Sequence, residues 1–289
     1  MDVVPVDKIM PSGVQTIFTA ASATLFALMW AYAIRESLRR RDWIPVLVVA
    51  GCGAAIFYEP LGDQMAHVYY TERGQISWIH AFGRYIPLFV GLLYFWYMSI
   101  GTMWLLRAKE RGVTARQWWT AWGGFLVFAE SLEMLSAKGF HFANGGPWIY
   151  YGHQAFSVLG VPFFTPFTYV SIDIPIALGA CAAARWLPRR MQWLVLPATP
   201  MLMVAGHAMT ALPSAVANNS TSSTLLLDLG ALGTAAFALI LSYCASLAFR
   251  QPWGPDQSAI ARLNRTGAAT AADGPEPVSA DAAPQLARV

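Results

Sequence analysis

The chain has 289 residues, of which 56% are hydrophobic and 12% charged, with a net charge of +3. Soluble domains carry about 25% charged residues, so this composition excludes an ordinary water-soluble globule. The length suits one helical bundle and not two large domains. Cys52, Cys181 and Cys244 lie inside apolar runs without CxxC spacing, which marks them as packing residues and not as disulfides or metal ligands.

A bilayer core takes roughly 20 apolar residues as helix. Seven stretches qualify, at about 14–36, 43–59, 86–107, 117–137, 162–184, 191–212 and 225–249. The expected fold is therefore all-α: a polytopic transmembrane bundle of about seven spans covering 14–250. An outer segment 1–13 precedes it, with no signal-peptide pattern. A disordered tail rich in Ala, Pro, Gly and Asp follows at 251–289. The second span ends in Tyr58-Glu59-Pro60, where proline stops a helix or starts a new one. The fifth contains Pro162, Pro166 and Pro175, and a kink is expected there.

Of the 19 Lys and Arg, all but Lys8, Arg73, Arg84 and Lys138 follow the first, third, fifth and seventh spans. Positive charge stays inside, which places the N-terminus outside and the C-terminus in the cytoplasm of a bacterial inner membrane. Two outer loops are rich in aromatic residues. Residues 60–85 carry Asp63, His67, Tyr69, Tyr70, Trp78, His80 and Arg84, and residues 138–161 carry His141, Asn144, Trp148, Tyr150, Tyr151 and His153. Such segments are expected to lie at the interface or to cap a cavity.

A charge at membrane depth costs roughly 2.5–3.5 kcal/mol on insertion scales, so each one needs a reason. Glu59 closes the second span, and Asp63 follows on the same face if the helix continues past Pro60. Glu130 and Glu133 are a turn apart in the fourth span. Asp173 lies mid-way along the fifth, His207 near the outer end of the sixth, and Asp228 at the start of the seventh. All sit toward the outer ends and are compatible with one outward polar pocket. Each also has a plainer reading. Glu59 and Arg84 form an interfacial ion pair, Glu133 snorkels to the interface, Asp228 caps a helix, and Asp173 satisfies backbone freed by Pro175. Trp148, Tyr150 and Tyr151 belong to an aromatic belt, and the loop histidines are solvated.

HxxxH, HxxHH and HExxH patterns are absent, as are GxSxG, Walker and GxGxxG patterns. The seventh span has no lysine for a retinal Schiff base. What remains is carboxylate chemistry, or binding and transport.

Four motifs carry a family resemblance: Glu59-Pro60-Leu61 at the end of the second span; Gly83-Arg84 with Pro87 opening the third, followed by Tyr94; the acidic pair Glu130 and Glu133; and Trp148-Ile149-Tyr150 ahead of a proline-containing span. In their order and spacing, over about 43–185, the chain resembles the AveC-like family of bacterial membrane proteins, named for a spirocyclase. It departs in having Glu at 59 where Asp is expected, and in a proline one place later after Gly-Arg. The resemblance implies spiroketal formation or dehydration on a polyketide, or on an isoprenoid or other lipid, without a cofactor.

Glu59 and Glu130 are then expected as the acid–base pair, assisted by Asp63 and Glu133. Arg84, Tyr150, Tyr94, Trp148, Asp173 and His207 would contact the substrate. The expected partners are a lipophilic small molecule and membrane lipids, with no nucleic acid and no metal. Two other classes stay open: a lipid or small-molecule binder or transporter, and a structural subunit of a membrane complex.

Overall fold

A computed structural model describes residues 4–139, 146–220 and 223–250. His141, Asn144 and the tail 251–289 lie outside the described residues. The fold is an all-α polytopic bundle. Its helices are α1 (Ser12–Arg40), α2 (Ile44–Ala54), α3 (Glu59–Ala66), α4 (Leu88–Arg111), α5 (Ala115–Met134), α6 (Thr165–Trp186), α7 (Val195–Ser220) and α8 (Thr224–Arg250). A 3₁₀ turn over Ala55–Tyr58 joins α2 to α3, so the two form one spanning unit. Among the described residues six spans are long and apolar enough to cross a membrane, which makes this a multi-pass membrane protein. The fourth predicted span forms too, as α5, but Arg116, Gln117 and two glutamates keep it less apolar than the others. Leu28 on α1, Met201 on α7 and Ile240 on α8 point outward, as lipid-facing positions do.

Local signals set the helix ends. Pro45, Pro60 and Pro166 all fall in first turns, where the missing N–H costs nothing. Pro60 therefore starts a helix and does not end the span. Thr114 and Gln117 close a reciprocal capping box on α5. Asp228 lies a full turn inside α8 and so does not cap it.

In the bundle α4 packs on α1, α2 and α6, and α6 also packs on α5, α7 and α8. Small residues permit close approach: a Cβ at Gly206 of α7 would sit 3.1 Å from the Pro175 ring and 3.2 Å from the Ser171 carbonyl of α6. At one end Glu36, 1% exposed, gathers Arg39 and Arg40 of its own helix and Arg107 of α4, while Glu110 holds Arg39 and Arg40. Lys109 donates to the Ala248 carbonyl of α8 at the same end.

The opposite end carries the two aromatic loops, and the structure differs there from a simple loop reading. β1 (Val68–Tyr70) and β4 (Trp148–Tyr150), one from each loop, pair antiparallel with Tyr70 opposite Trp148 and Val68 opposite Tyr150. β2 (Ser77–Ala81) and β3 (Arg84–Pro87) form a hairpin whose two turn residues, Phe82 and Gly83, both have positive φ. That is the twist a two-residue hairpin turn prefers. The Gly-Arg-x-x-Pro segment is thus a turn residue, a buried arginine on β3, and the proline that leads into α4.

Gly83 has φ of +71° and open space where a Cβ would go. Gly83→Ala is therefore expected to cost about 1–2 kcal/mol from backbone strain alone, read as a lower melting temperature in detergent. An unchanged melting temperature would show that the hairpin turn relaxes freely.

Candidate functional site

Glu59 opens α3, and its carboxylate accepts hydrogen bonds from Tyr70 of β1 at 2.6 Å and Tyr94 of α4 at 2.5 Å. Glu133, in the last turn of α5 and 6% exposed, accepts from the Trp148 indole at 2.9 Å and the Tyr150 phenol at 2.8 Å, both on β4. Tyr169 of α6 interacts with the same carboxyl. The β1–β4 ribbon therefore holds both carboxyls, with Tyr70 on one and its cross-strand neighbour Trp148 on the other.

Asp63 is one turn beyond Glu59 on α3 and is buried. One of its oxygens has no hydrogen-bond partner among the described residues, and the charged groups in electrostatic range of it are Glu59, Arg84 and Glu133. Burial, followed by the Glu59 and Asp63 carboxyls, pushes the Tyr70 phenol well above its usual range. Burial and then Glu133 do the same to Tyr150. Both phenols are thus held as donors.

Of the ten residues singled out from sequence, six meet here: Glu59, Asp63, Tyr94, Glu133, Trp148 and Tyr150. Glu133 is buried and does not snorkel. The anticipated Glu59–Arg84 ion pair does not form. Arg84 is 9% exposed and donates to the Tyr151 hydroxyl at 2.7 Å, with its guanidinium over the Tyr69 and Tyr151 rings. Glu130 stands outside the network. It is partly buried, with one oxygen lacking a hydrogen-bond partner among the described residues; Ala129 and Glu133 define the buried face of α5, and Glu130 is rotated off it.

Asp173 serves another contact. It accepts from the backbone N–H and hydroxyl of Thr102 on α4, at 2.8 and 2.7 Å. His207 meets the Tyr58 hydroxyl at 3.0 Å. It lines a small cleft between α3, α6 and α7, whose wall also includes Tyr150, Tyr169, Met65 and Ser214. Tyr150 therefore touches both the cleft and Glu133. Among the described residues no three His, Cys, Asp or Glu side chains are grouped to hold a metal ion.

Sequence reasoning did not single out Tyr70, Tyr169 or Tyr58 as site residues. The available signal was the pair of triplets Val68-Tyr69-Tyr70 and Trp148-Ile149-Tyr150, aromatic and β-branched residues of the kind that pair across strands.

A Cβ on Gly101 would run into the Asp173 carboxyl, whereas one on Gly123 of α5 meets nothing within 4 Å. Gly101→Ala is expected to cost about 1–3 kcal/mol by overpacking, with Gly123→Ala neutral or mildly stabilising. Equal melting temperatures for the two variants would show that the Asp173–Thr102 contact does not hold α4 against α6.

No family model matches this chain, and no curated protein and no solved structure matches it.

Proposed function

We propose that the protein is a membrane-embedded, cofactor-independent cyclase or dehydratase acting on a lipophilic small molecule in a bacterial inner membrane, in the manner of the AveC-like family it resembles. The observation that carries this reading is the joining of Glu59 and Glu133 through one β ribbon beside a cleft. Ring closure of this kind needs one carboxyl to donate a proton and another to accept one. A substrate hydroxyl adds to its own carbonyl carbon, forming the C–O bond. The base takes the hydroxyl proton and the acid protonates the carbonyl oxygen, giving a hemiketal; a second substrate hydroxyl then forms the second C–O bond and gives its proton to the base, while the hemiketal oxygen takes a second proton from the acid and leaves as water.

Glu133 and Glu59 take these two roles, in place of the Glu59–Glu130 pair expected from sequence. Tyr150, on the cleft wall, passes a proton between substrate and Glu133. Asp63 is the nearby third carboxyl. Arg84, held between Tyr69 and Tyr151, is a positioning residue for the ribbon.

The test is metabolite and lipid profiling of a deletion strain carrying nothing, the wild-type gene, Glu59→Gln or Glu133→Gln. A compound that accumulates in the deletion and differs from the lost product by isomerisation or one water is expected. It should persist with both Gln variants at undiminished protein level, because losing general acid–base catalysis costs about 10²–10⁴ in rate. Wild-type chemistry in both variants would overturn the proposal. So would a compound that merely shifts between cells and medium, which would make the cleft a transport site.

A further inference from the structure

Helices α4 and α5 are consecutive and joined by residues 112–114, and they meet through large rings and not backbone to backbone: Trp104 touches Trp118 and Phe125, and Tyr97 touches Phe128. α5 leans on α6 and reaches α8. The space between α4 and α5 is built of two parts. At the basic end is an open groove walled by Arg107, Arg111 and Arg116 with Thr114, Gln117 and Thr120. Deeper in is a narrow slot between Trp104, Trp118, Trp122 and Phe125, floored by Val170, Asp173 and Ile174 of α6. Trp104 borders both parts.

The groove is cationic. Arg107 is taken by Glu36, and Glu110 by Arg39 and Arg40. Arg111 and Arg116 are exposed, and among the described residues neither has a carboxylate partner. Apart from the Asp173 carboxyl, which Thr102 engages, the slot is apolar, and it has a polar deficit: the indole N–H groups of Trp118 and Trp122 are buried without a hydrogen-bond partner among the described residues. Buried donors of this kind call for an acceptor.

We propose that this gap is a binding site for one anionic phospholipid. The phosphate lies against Arg111 and Arg116, the ester carbonyls come within reach of the Trp118 and Trp122 indoles, and the first methylenes of one acyl chain enter the aromatic slot. Each part of the molecule answers one part of the gap. A free phosphate would leave the slot and both indoles unserved. A zwitterionic lipid would bring a cation to a groove that already carries two unpaired ones. Basic pockets between spans at the cytoplasmic face bind acidic headgroups on the same physical grounds. The site is separate from the carboxyl network and does not depend on the catalytic reading.

The test uses the full-length protein, delipidated in detergent, and native mass spectrometry with dioleoyl phosphatidylglycerol or dioleoyl phosphatidylcholine as the probe. One phosphatidylglycerol per chain is expected, bound about tenfold more tightly than phosphatidylcholine. Arg111→Ala/Arg116→Ala should abolish the preference, and Arg111→Lys/Arg116→Lys should largely restore it. Equal binding of the two lipids by the wild-type protein would overturn the proposal without any variant being made. Displacement of phosphatidylglycerol by equimolar inorganic phosphate would also overturn it, by making the groove a site for free anions. A double-alanine variant that keeps both its helical circular dichroism and the full preference would do so too.

Discussion

The pairing of Tyr70 with Trp148 across the β1–β4 ribbon is the contact on which the outer end of the molecule depends. A carboxyl inside a membrane bundle needs donors, since its alternative is an unsatisfied polar group in hydrocarbon. The ribbon supplies them to both carboxyls: Tyr70 to Glu59, Trp148 and Tyr150 to Glu133. Because Tyr70 and Trp148 are register partners, the two carboxyls are referred to one backbone ladder. The ends of α3 and α5 are fixed by the same few hydrogen bonds, and Tyr94 adds α4 through Glu59. Networks of this kind respond as units, because losing one donor exposes its acceptor to every neighbour.

The two ends of the bundle solve the same problem in different ways. At the basic end Glu36 is surrounded by Arg39, Arg40 and Arg107. Guanidinium groups cancel a carboxylate's charge and hold it ionised. At the other end Glu59 and Glu133 are held by three phenols and an indole, none of which brings a countercharge. Arg84, the cation closest to being available there, is turned to Tyr151 and stacked between aromatic rings. A carboxyl held by neutral donors keeps its geometry without being locked into one protonation state. That difference separates an arrangement suited to binding helices together from one suited to proton transfer.

The spans were legible because long apolar runs permit little else in a bilayer, and the basic residues mark their alternation. The pairing of carboxyls was not legible, for identifiable reasons. In α5 apolar residues flank both glutamates in sequence, Phe128 and Ala129 before them and Leu132 and Met134 around Glu133, so periodicity does not say which of Glu130 and Glu133 faces inward. That was decided by tertiary packing of Ala129 and Glu133. The ribbon joins segments about eighty residues apart, each only three residues long, and strands that short carry almost no period-2 signal of their own. Arg84 was expected to meet a carboxyl on charge grounds, but β3 aims it at the stacked tyrosines. For Asp173 the plainer reading was backbone freed by Pro175, yet the space left by Gly101 lets it reach Thr102 on α4.

The cavities beside the network share part of their lining. Tyr169 lines the cleft beside Tyr150, and it also lines a second cavity with Tyr97, Phe128 and Asp173. That cavity shares Phe125, Val170 and Asp173 with the aromatic slot between α4 and α5. Tyr169 is thus common to the cleft and the second cavity, and it interacts with Glu133. On the catalytic proposal, a lining made mostly of aromatic and aliphatic side chains suits a substrate that partitions into lipid before it reacts, because a polar substrate would give up its hydration there with few partners to replace it.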